Sequence, residues 1–279
     1  MRSQEKGEIL HHSLQLSLHL KSQFLDSINH WKENFLFREV LELLEIFDAY
    51  LFLSFSIAFF ASALTGYVGF GGALIMVPLY TFLFGPINAI AITTMCSLVS
   101  LSPIILKLIK NIEWAQMLPL SAGIIISNIL GIKFLTSTDP TIVSLGIGIF
   151  VLVSGFILMS DFSYKGPRGS GVSAFVGLIC GSVMGGFGVP SGPILVVYFL
   201  AAPIAAITQR ANILFPIWLM CLVTSVSLGA NRVLEQETFF RALFILPFSI
   251  IGAWFGSYIF KKAPVSWFKA VANWLLIII

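Results

Sequence analysis

The chain has 279 residues, of which 57% are apolar and 10% are charged, and its formal net charge is +3. This composition excludes an ordinary soluble domain, because so few charged side chains cannot cover a water-facing surface. The small and unclustered positive charge also argues against a nucleic-acid partner. The chain is therefore predicted to be a multi-pass protein of a cell inner membrane, with the lipid bilayer as its surroundings.

Residues 1–48 are predicted to form an amino-terminal extension with a composition of its own. They hold five Lys or Arg and eight Asp or Glu, whereas the remaining chain holds eleven and five. Phe24, Ile28, Trp31 and Phe35 recur at helical spacing between charged residues, which predicts an amphipathic helix. We expect this helix to lie on the membrane surface or against the bundle; the alternative is a module that binds a partner protein.

Residues 49–160 are predicted to form a first transmembrane repeat. A spanning helix takes about 20 mostly apolar residues, and 87–107, 116–135 and 141–159 meet this requirement. The preceding stretch, 50–84, is apolar but interrupted, and it predicts a helix, a break and a second helix, each short for a full crossing. The glycines of the break are Gly66, Gly69, Gly71 and Gly72.

The same order of segments recurs after a basic linker at 161–170, so 171–279 is predicted to be a second transmembrane repeat. It begins with a stretch at 172–202 that is broken by glycine and proline. The spans predicted after it are 204–229, 239–260 and 267–279.

The repetition extends to the letters of the sequence. Three pairs of segments match: VGFG at 68–71 with GGFG at 185–188 and PINAI at 86–90 with PIAAI at 203–207, both at an offset of 117, and LPLS at 118–121 with LPFS at 246–249 at an offset of 128. Interrupted apolar segments at corresponding places in two halves are typical of secondary transporters. A hairpin contributes an even number of membrane crossings, so with three further spans each half crosses the membrane an odd number of times. We therefore expect the two halves to have inverted orientations relative to each other.

The predicted fold is an all-α polytopic membrane protein with two homologous halves as inverted repeats. Each half holds a Gly-rich broken or re-entrant helical hairpin and three transmembrane helices. This order of membrane crossings places six basic residues on one face of the membrane. The positive-inside tendency predicts that this face is cytoplasmic. They are Lys107, Lys110, Lys165, Arg168, Lys261 and Lys262.

The two Gly-rich breaks are the first candidates for a binding site. Irregular backbone at membrane depth is tolerated only against protein or a wet cavity, and a helix that starts there directs N–H groups and a positive dipole end at an anion. The alternative is that small residues serve close helix packing. The candidate substrate-binding residues at the breaks are Gly69, Gly71, Gly72, Gly186, Gly188, Pro190, Ser191 and Gly192.

Arg210 is the second candidate, because every other Lys or Arg after residue 49 can be placed in a loop or near the end of a span. A charge inside the membrane is expensive and indicates function, here a counter-charge for an anion; the alternative is that the long side chain reaches the nearer interface. Polar neighbours in its helix and at the matching place of the first half are further candidates. They are Gln209, Asn212, Thr93, Thr94 and Ser97.

Catalytic, metal and cofactor sites have no support in the sequence. All four histidines fall within residues 1–48, and no predicted span carries an internal Asp or Glu. Cys96, Cys180 and Cys221 lie far apart in apolar stretches, as small buried side chains do. We therefore expect no enzyme and no cofactor.

The sequence resembles the TauE/SafE sulfite exporter family in four segments: GYVGFGGALIMVPL and GPINAIAITTMCSLV in the first half, and GSVMGGFGVPSGPILVVYFL and QRANILFPIW in the second. The resemblance covers about residues 50–279. It implies a compact helical transporter with two homologous halves that moves sulfite, sulfonates or related sulfur-containing anions. Two features depart from it: the GVPSGP run at 188–193, where Gly-Gly-Pro is common, and the long amphipathic start.

The resulting hypothesis is an exporter that works by alternating access around a small anionic substrate. An anion channel and a membrane scaffold or interaction protein without transport activity remain as alternatives. The sequence names no coupling ion, so proton coupling stays open, as does assembly into a homo-oligomer.

Overall fold

The computed structural model describes residues 21–23, 49–160, 164, 166–200, 202, 204–231 and 234–262. The chain divides into two compact units, Met1–Asp48 and Ala49–Ile279. In the first unit the described residues 21–23 are helical. The predicted amphipathic helix and the predicted span at 267–279 lie outside the described residues.

The described part of the second unit consists of helices, short turns and no strand. The helices are α1 Ala49–Val68, α2 Gly72–Phe84, α3 Pro86–Leu108, α4 Trp114–Ser137, α5 Pro140–Met159, α6 Ser170–Phe187, α7 Gly192–Leu200, α8 Ala206–Ala230 and α9 Gln236–Lys262. A 3-10 turn at Ile109–Asn111 follows α3.

Seven of these helices are long and apolar enough to cross a membrane, which confirms an all-helical polytopic protein. They are α1, α3, α4, α5, α6, α8 and α9. The expectation that both parts of the first broken stretch are short is wrong for its first part, because α1 has 20 residues. The first part of the second broken stretch, α6, has 18 residues. The breaks come late in these stretches, so only α2 and α7, with 13 and nine residues, are short.

Glycine and proline set the helix boundaries. Gly69 and Gly71 take φ values of 94° and 96° between α1 and α2, a backbone region that other residues avoid. Pro86 and Pro140 occupy the first turns of α3 and α5, where no N–H is needed. At the start of α5 the Asp139 carboxylate accepts the Thr141 N–H at 2.8 Å, which lowers the pKa of Asp139.

Two extensive interfaces join a helix of the first half to a helix of the second half, α1 with α9 and α4 with α6. In both, glycines allow backbone to touch backbone. A Cβ added at Gly177 of α6 would lie 2.1 Å from the Leu120 oxygen of α4, and one at Gly256 of α9 would lie 1.9 Å from the Ala63 oxygen of α1. No larger side chain fits at these positions unless the helices separate.

The contacts also fix the relative directions of the helices. Along α1 and α9, Phe55 stacks on Phe248 and Tyr67 meets Phe260, so these helices are parallel. Leu120 of α4 lies beside Gly177 of α6, and further along, Asn128 lies beside Gly185, so that pair is parallel as well.

Helices α3 and α8 contact each other in opposite directions. Ser102 of α3 accepts from Trp218 of α8, whereas Lys107 faces the start of α8 near Arg210. Because Cys96 meets Ala242 and Lys107 lies in the same cavity as Tyr258, α3 is parallel to α9.

Helices α4 and α8 are parallel, because Glu113 pairs with Asn212 and Asn128 with Thr224. Thus α1, α3 and α9 point one way, and α4, α6 and α8 point the other way. The end of the bundle where α3 and α9 finish and α6 and α8 begin carries Lys107, Lys110, Arg168 and Lys262; we call it the basic end.

Candidate functional site

A partly enclosed cavity of about 340 Å³ lies between α3, α8 and α9, towards the basic end. This volume falls within the range of small-molecule sites, roughly 300–1,000 Å³. The residues that line it are Ser100, Pro103, Ile104, Lys107, Leu108, Ile207, Arg210, Ile250, Trp254, Ser257, Tyr258 and Phe260.

Arg210 is the most enclosed charge in this cavity. It lies four residues into α8, about 6 Å along the helix axis from Ala206, and 8% of its surface is exposed. Its Nη2 donates to the Gly66 carbonyl and, at 3.3 Å, to the Ser257 hydroxyl. The guanidinium carbon lies 4.1 Å from the centre of the Phe260 ring, which adds a cation–π contact.

One donor of the arginine has no partner among the described residues. Its Nε is buried and has no hydrogen-bond partner in the part of the chain that the structure describes. The contacts of its Nη2 are with neutral oxygens, so they orient the guanidinium without neutralising it. Burying an unneutralised cation is costly, and an anionic ligand would remove that cost.

The remaining lining residues favour an anion as well. Lys107 contributes a second positive charge, and Ser100, Ser257 and Tyr258 contribute hydroxyl groups. Among the described residues that line the cavity there is no Asp and no Glu. The arrangement is therefore suited to an oxyanion that accepts several hydrogen bonds, and unsuited to a cation.

The first Gly-rich break is packed against Arg210. A Cβ added at Gly69 would lie 3.7 Å from the Arg210 Cγ. The next residue, Phe70, touches the second break, because a Cβ at Gly192 would lie 2.9 Å from the Phe70 Cβ. The second break also contacts α3, since a Cβ at Gly188 would lie 2.2 Å from the Ile90 side chain. The structure thus brings both predicted breaks together with α3 and α8.

None of the eight predicted residues of the breaks is among those that line the cavity. The Gly72 N–H at the start of α2 donates to Thr65 at 3.0 Å, and Ser191 donates to the Cys180 carbonyl at 3.0 Å. Gly71 caps α2, and Pro190 accepts the Gly192 N–H. Gly186 is buried near Phe134. These groups are engaged with protein.

The other predicted polar residues are not among those that line the cavity. Asn212 exchanges hydrogen bonds with Glu113 at the start of α4, and Gln209 donates to the Ala202 carbonyl. Thr94 bonds within α3 to Ala91, and the Ser97 carbonyl accepts from Ser100. Thr93 is fully buried, and its hydroxyl has no partner among the described residues.

Sequence reasoning missed Ser100, Lys107 and Ser257, because each is ordinary by itself. A signal exists in their spacing. Positions 100, 103, 104 and 107 share one face of a helix, as do 250, 254, 257 and 258. Both faces combine small or hydroxyl groups with a basic or aromatic residue, but nothing local in the sequence indicates that they oppose each other.

The family model described as "Sulfite exporter TauE/SafE" matches residues 54–279. Comparison with curated proteins and with solved structures finds no match. The family match includes every described residue that lines the cavity.

Proposed function

Because the chain belongs to the TauE/SafE sulfite exporter family, we propose that it is a secondary transporter of small sulfur-containing anions such as sulfite or organosulfonates. The observation that carries the proposal is the Arg210 cavity, in which a buried guanidinium, a lysine and three hydroxyl groups converge without a carboxylate. A charge held inside a membrane protein is retained where a counter-ion binds.

The size of the cavity supports this range of substrates. A water molecule takes about 30 Å³ of liquid volume, so a cavity of about 340 Å³ has room for an oxyanion with part of its hydration shell. The same volume holds an organosulfonate whose carbon chain lies against Ile104, Ile250 or Trp254, while the sulfonate oxygens face Arg210. We place the sulfur-bound oxygens at Arg210 and Ser257.

An inverted relation between the halves is part of the proposal. Under the sequence offsets, α1 corresponds to α6, α3 to α8 and α4 to α9. In each of these pairs the two helices point in opposite directions, as two halves related by an axis in the membrane plane do. The interfaces correspond in the same way, because α1 packs on α9 and α6 on α4.

This symmetry supports transport by alternating access, which we include in the proposal. The cavity lies towards the basic end, which the positive-inside tendency places in the cytoplasm of a cell whose inner membrane holds the protein. An exporter takes up its anion in this state, and exchange of the conformations of the two halves then delivers it to the other side. The transport cycle needs no covalent chemistry and no cofactor.

The test is uptake of labelled sulfite, sulfate and taurine into proteoliposomes that contain equal amounts of wild type, Arg210→Met or Lys107→Gln. We expect saturable uptake of at least one anion by the wild type. A hydrogen bond to a charged group contributes about 1.5–3 kcal/mol, so Arg210→Met raises KM by roughly ten- to a hundredfold. Lys107→Gln has a smaller effect, because Lys107 is exposed to screening solvent.

Arg241→Met is the matched control. Arg241 lies near the start of α9, where it pairs with Glu237 far from the cavity. Equal loss of uptake in Arg210→Met and Arg241→Met would overturn the proposed site, and the absence of saturable flux for all three anions would overturn the proposed substrates. Counterflow exchange of preloaded anion separates a transporter from a channel, because a channel does not exchange label against a gradient.

A further inference from the structure

The repeat assigns an equivalent position to each residue around the Arg210 cavity. At the offset of 117, Arg210 corresponds to Thr93, and Lys107 corresponds to Thr224. The same offset pairs Ile104 with Cys221 and Pro103 with Met220. If the proposed function holds, these equivalents belong to the opposite face of the transport pathway, between α8, α3 and α4.

The two equivalent regions differ in exposure. Pro103 and Lys107 are exposed, and with Ile104 they line the open cavity. Their partners in the repeat, Met220, Cys221 and Thr224, are 0% exposed. One side of the molecule is thus open and the equivalent side is shut.

Asn128 of α4 holds the shut side together. Its side-chain amide donates to the Thr224 hydroxyl at 3.1 Å and to the Met220 carbonyl at 3.4 Å. All of this lies in the buried contact between α4 and α8. The residue at the equivalent place in α9, at the offset of 128, is Gly256, which has no side chain to form such a bond.

Thr93 provides an independent observation. Its side chain is 0% exposed, and its hydroxyl has no hydrogen-bond partner among the described residues, although the neighbouring Thr94 hydroxyl bonds to Ala91. An unsatisfied buried hydroxyl costs about 1–3 kcal/mol. A ligand that accepts a hydrogen bond when this side opens would recover that cost.

We propose that Thr93, Thr224 and Asn128 form a second half-site for the same oxyanion, closed in this structure and opened when the Arg210 cavity closes. Two hydroxyls and an amide N–H replace the guanidinium and the ammonium of the open side. Neutral donors hold an anion less tightly than charged ones. The second half-site is therefore the side from which the anion is released.

Native Cys221 reports the opening directly, because it is the repeat partner of the cavity residue Ile104. The experiment uses the full chain in proteoliposomes and the rate of alkylation by N-ethylmaleimide. Four variants each keep one thiol: Cys221 alone, Cys180 alone, and each of these combined with Asn128→Leu. A fifth and a sixth variant, both without native cysteines, carry Ile104→Cys, the fifth with Asn128 unchanged and the sixth combined with Asn128→Leu.

Removal of the Asn128 hydrogen bonds shifts the population towards the state that is open at Cys221, by about tenfold. We expect Asn128→Leu to accelerate alkylation of Cys221 by that factor and to slow alkylation of Ile104→Cys. Cys180 lies outside both half-sites, so its rate stays unchanged. Equal acceleration at Cys180 indicates loosening of the whole fold and overturns the proposal, as does an unchanged rate at Cys221.

Thr93→Val tests the ligand contact, with Thr136→Val as its control, because the Thr136 hydroxyl donates within α4 to the Ile132 carbonyl and Thr136 does not line the cavity. Valine preserves the shape of threonine, and the Thr93 hydroxyl has no partner to lose among the described residues, so the fold is maintained. We expect Thr93→Val to slow taurine or sulfite flux by about tenfold and Thr136→Val to leave it near the wild-type value. Equal flux in Thr93→Val and wild type overturns the role of this hydroxyl.

The two proposals fail separately. Faster alkylation of Cys221 with slower alkylation of Ile104→Cys, but without flux of any sulfur-containing anion, would support the two half-sites and overturn the proposed substrate. Saturable flux together with alkylation rates that Asn128→Leu leaves unchanged would support the proposed transporter and overturn the second half-site.

Discussion

Substitution of Gly181 by alanine tests the helix packing that holds the two halves together. Gly181 lies in the middle of the α4–α6 contact. A Cβ at this position would lie 2.2 Å from the Ser127 Oγ and 2.4 Å from the Ile124 carbonyl oxygen. The serine hydroxyl can rotate away, but the Ile124 oxygen belongs to the backbone of α4, so the helices themselves have to separate.

The size of the effect follows from these distances. Ordinary contacts begin at 3.4 Å, so the α4 backbone must withdraw by about 1 Å. A gap of this size forfeits about a quarter to a half of the local dispersion energy, and overpacking of this kind costs about 1–3 kcal/mol. The better helix propensity of alanine returns up to about 1 kcal/mol. Subtracting a gain of about 1 kcal/mol from this cost leaves an expected net loss of up to about 2 kcal/mol in the free energy of unfolding.

The assay is equilibrium unfolding in mixed micelles of dodecylmaltoside and SDS, followed by circular dichroism. Gly148→Ala is the matched control, because Gly148 lies in the middle of α5 and a Cβ there would have no contact within 4 Å in the described part of the chain, apart from its chain neighbours and the backbone of its own helix. Gly148→Ala should unfold at the wild-type SDS fraction or later, and Gly181→Ala clearly earlier. If both variants unfold at the same SDS fraction, the argument from backbone contact is wrong.

Three further outcomes follow from the contacts. Glu113→Ala should lower stability by about 1–3 kcal/mol, because it removes the carboxylate that accepts from the buried Asn212 amide; a wild-type unfolding curve in mixed micelles would contradict this. Tyr80→Phe removes the 2.8 Å hydrogen bond to the Ser54 carbonyl and should cost about 1 kcal/mol in the same assay; an unchanged midpoint would show that the bond contributes nothing. Thiol titration with a maleimide should modify no cysteine quickly in the native protein and all three after full denaturation in SDS, since the three side chains are 0% exposed; rapid native labelling would refute this burial. The three are Cys96, Cys180 and Cys221.

Much of the fold was accessible from the sequence. Length and hydropathy alone predicted five of the seven apolar helices of the described chain at close to their observed positions, and the other two, α1 and α6, as the first parts of the broken stretches, because a membrane span leaves a run of about 20 apolar residues in the chain. Glycines with positive φ interrupt the backbone at Gly69 and Gly188, where a sequence pattern already indicates a break.

Arg210 is a candidate from the sequence alone, since one cation within an apolar run is conspicuous without any knowledge of its neighbours. The structure places different polar groups beside the arginine from those that are near it in the chain. Asn212 is two residues away in the chain but faces Glu113, whereas Ser257 is 47 residues away and accepts a hydrogen bond from the guanidinium. Helical periodicity places a side chain on a face and gives no information about what that face meets.

The sequence by itself therefore determined the predicted repeat, the apolar spans and the candidate cation. Each is visible as a run of residues or a constant offset, without knowledge of tertiary contacts. The pairing of α1 with α9 and of α4 with α6 was decided only by the tertiary structure. Such contacts join residues more than 50 positions apart, and they depend on whether two surfaces fit each other. For the same reason the cavity between Ser100, Arg210 and Ser257 emerged only when three distant helices were packed together.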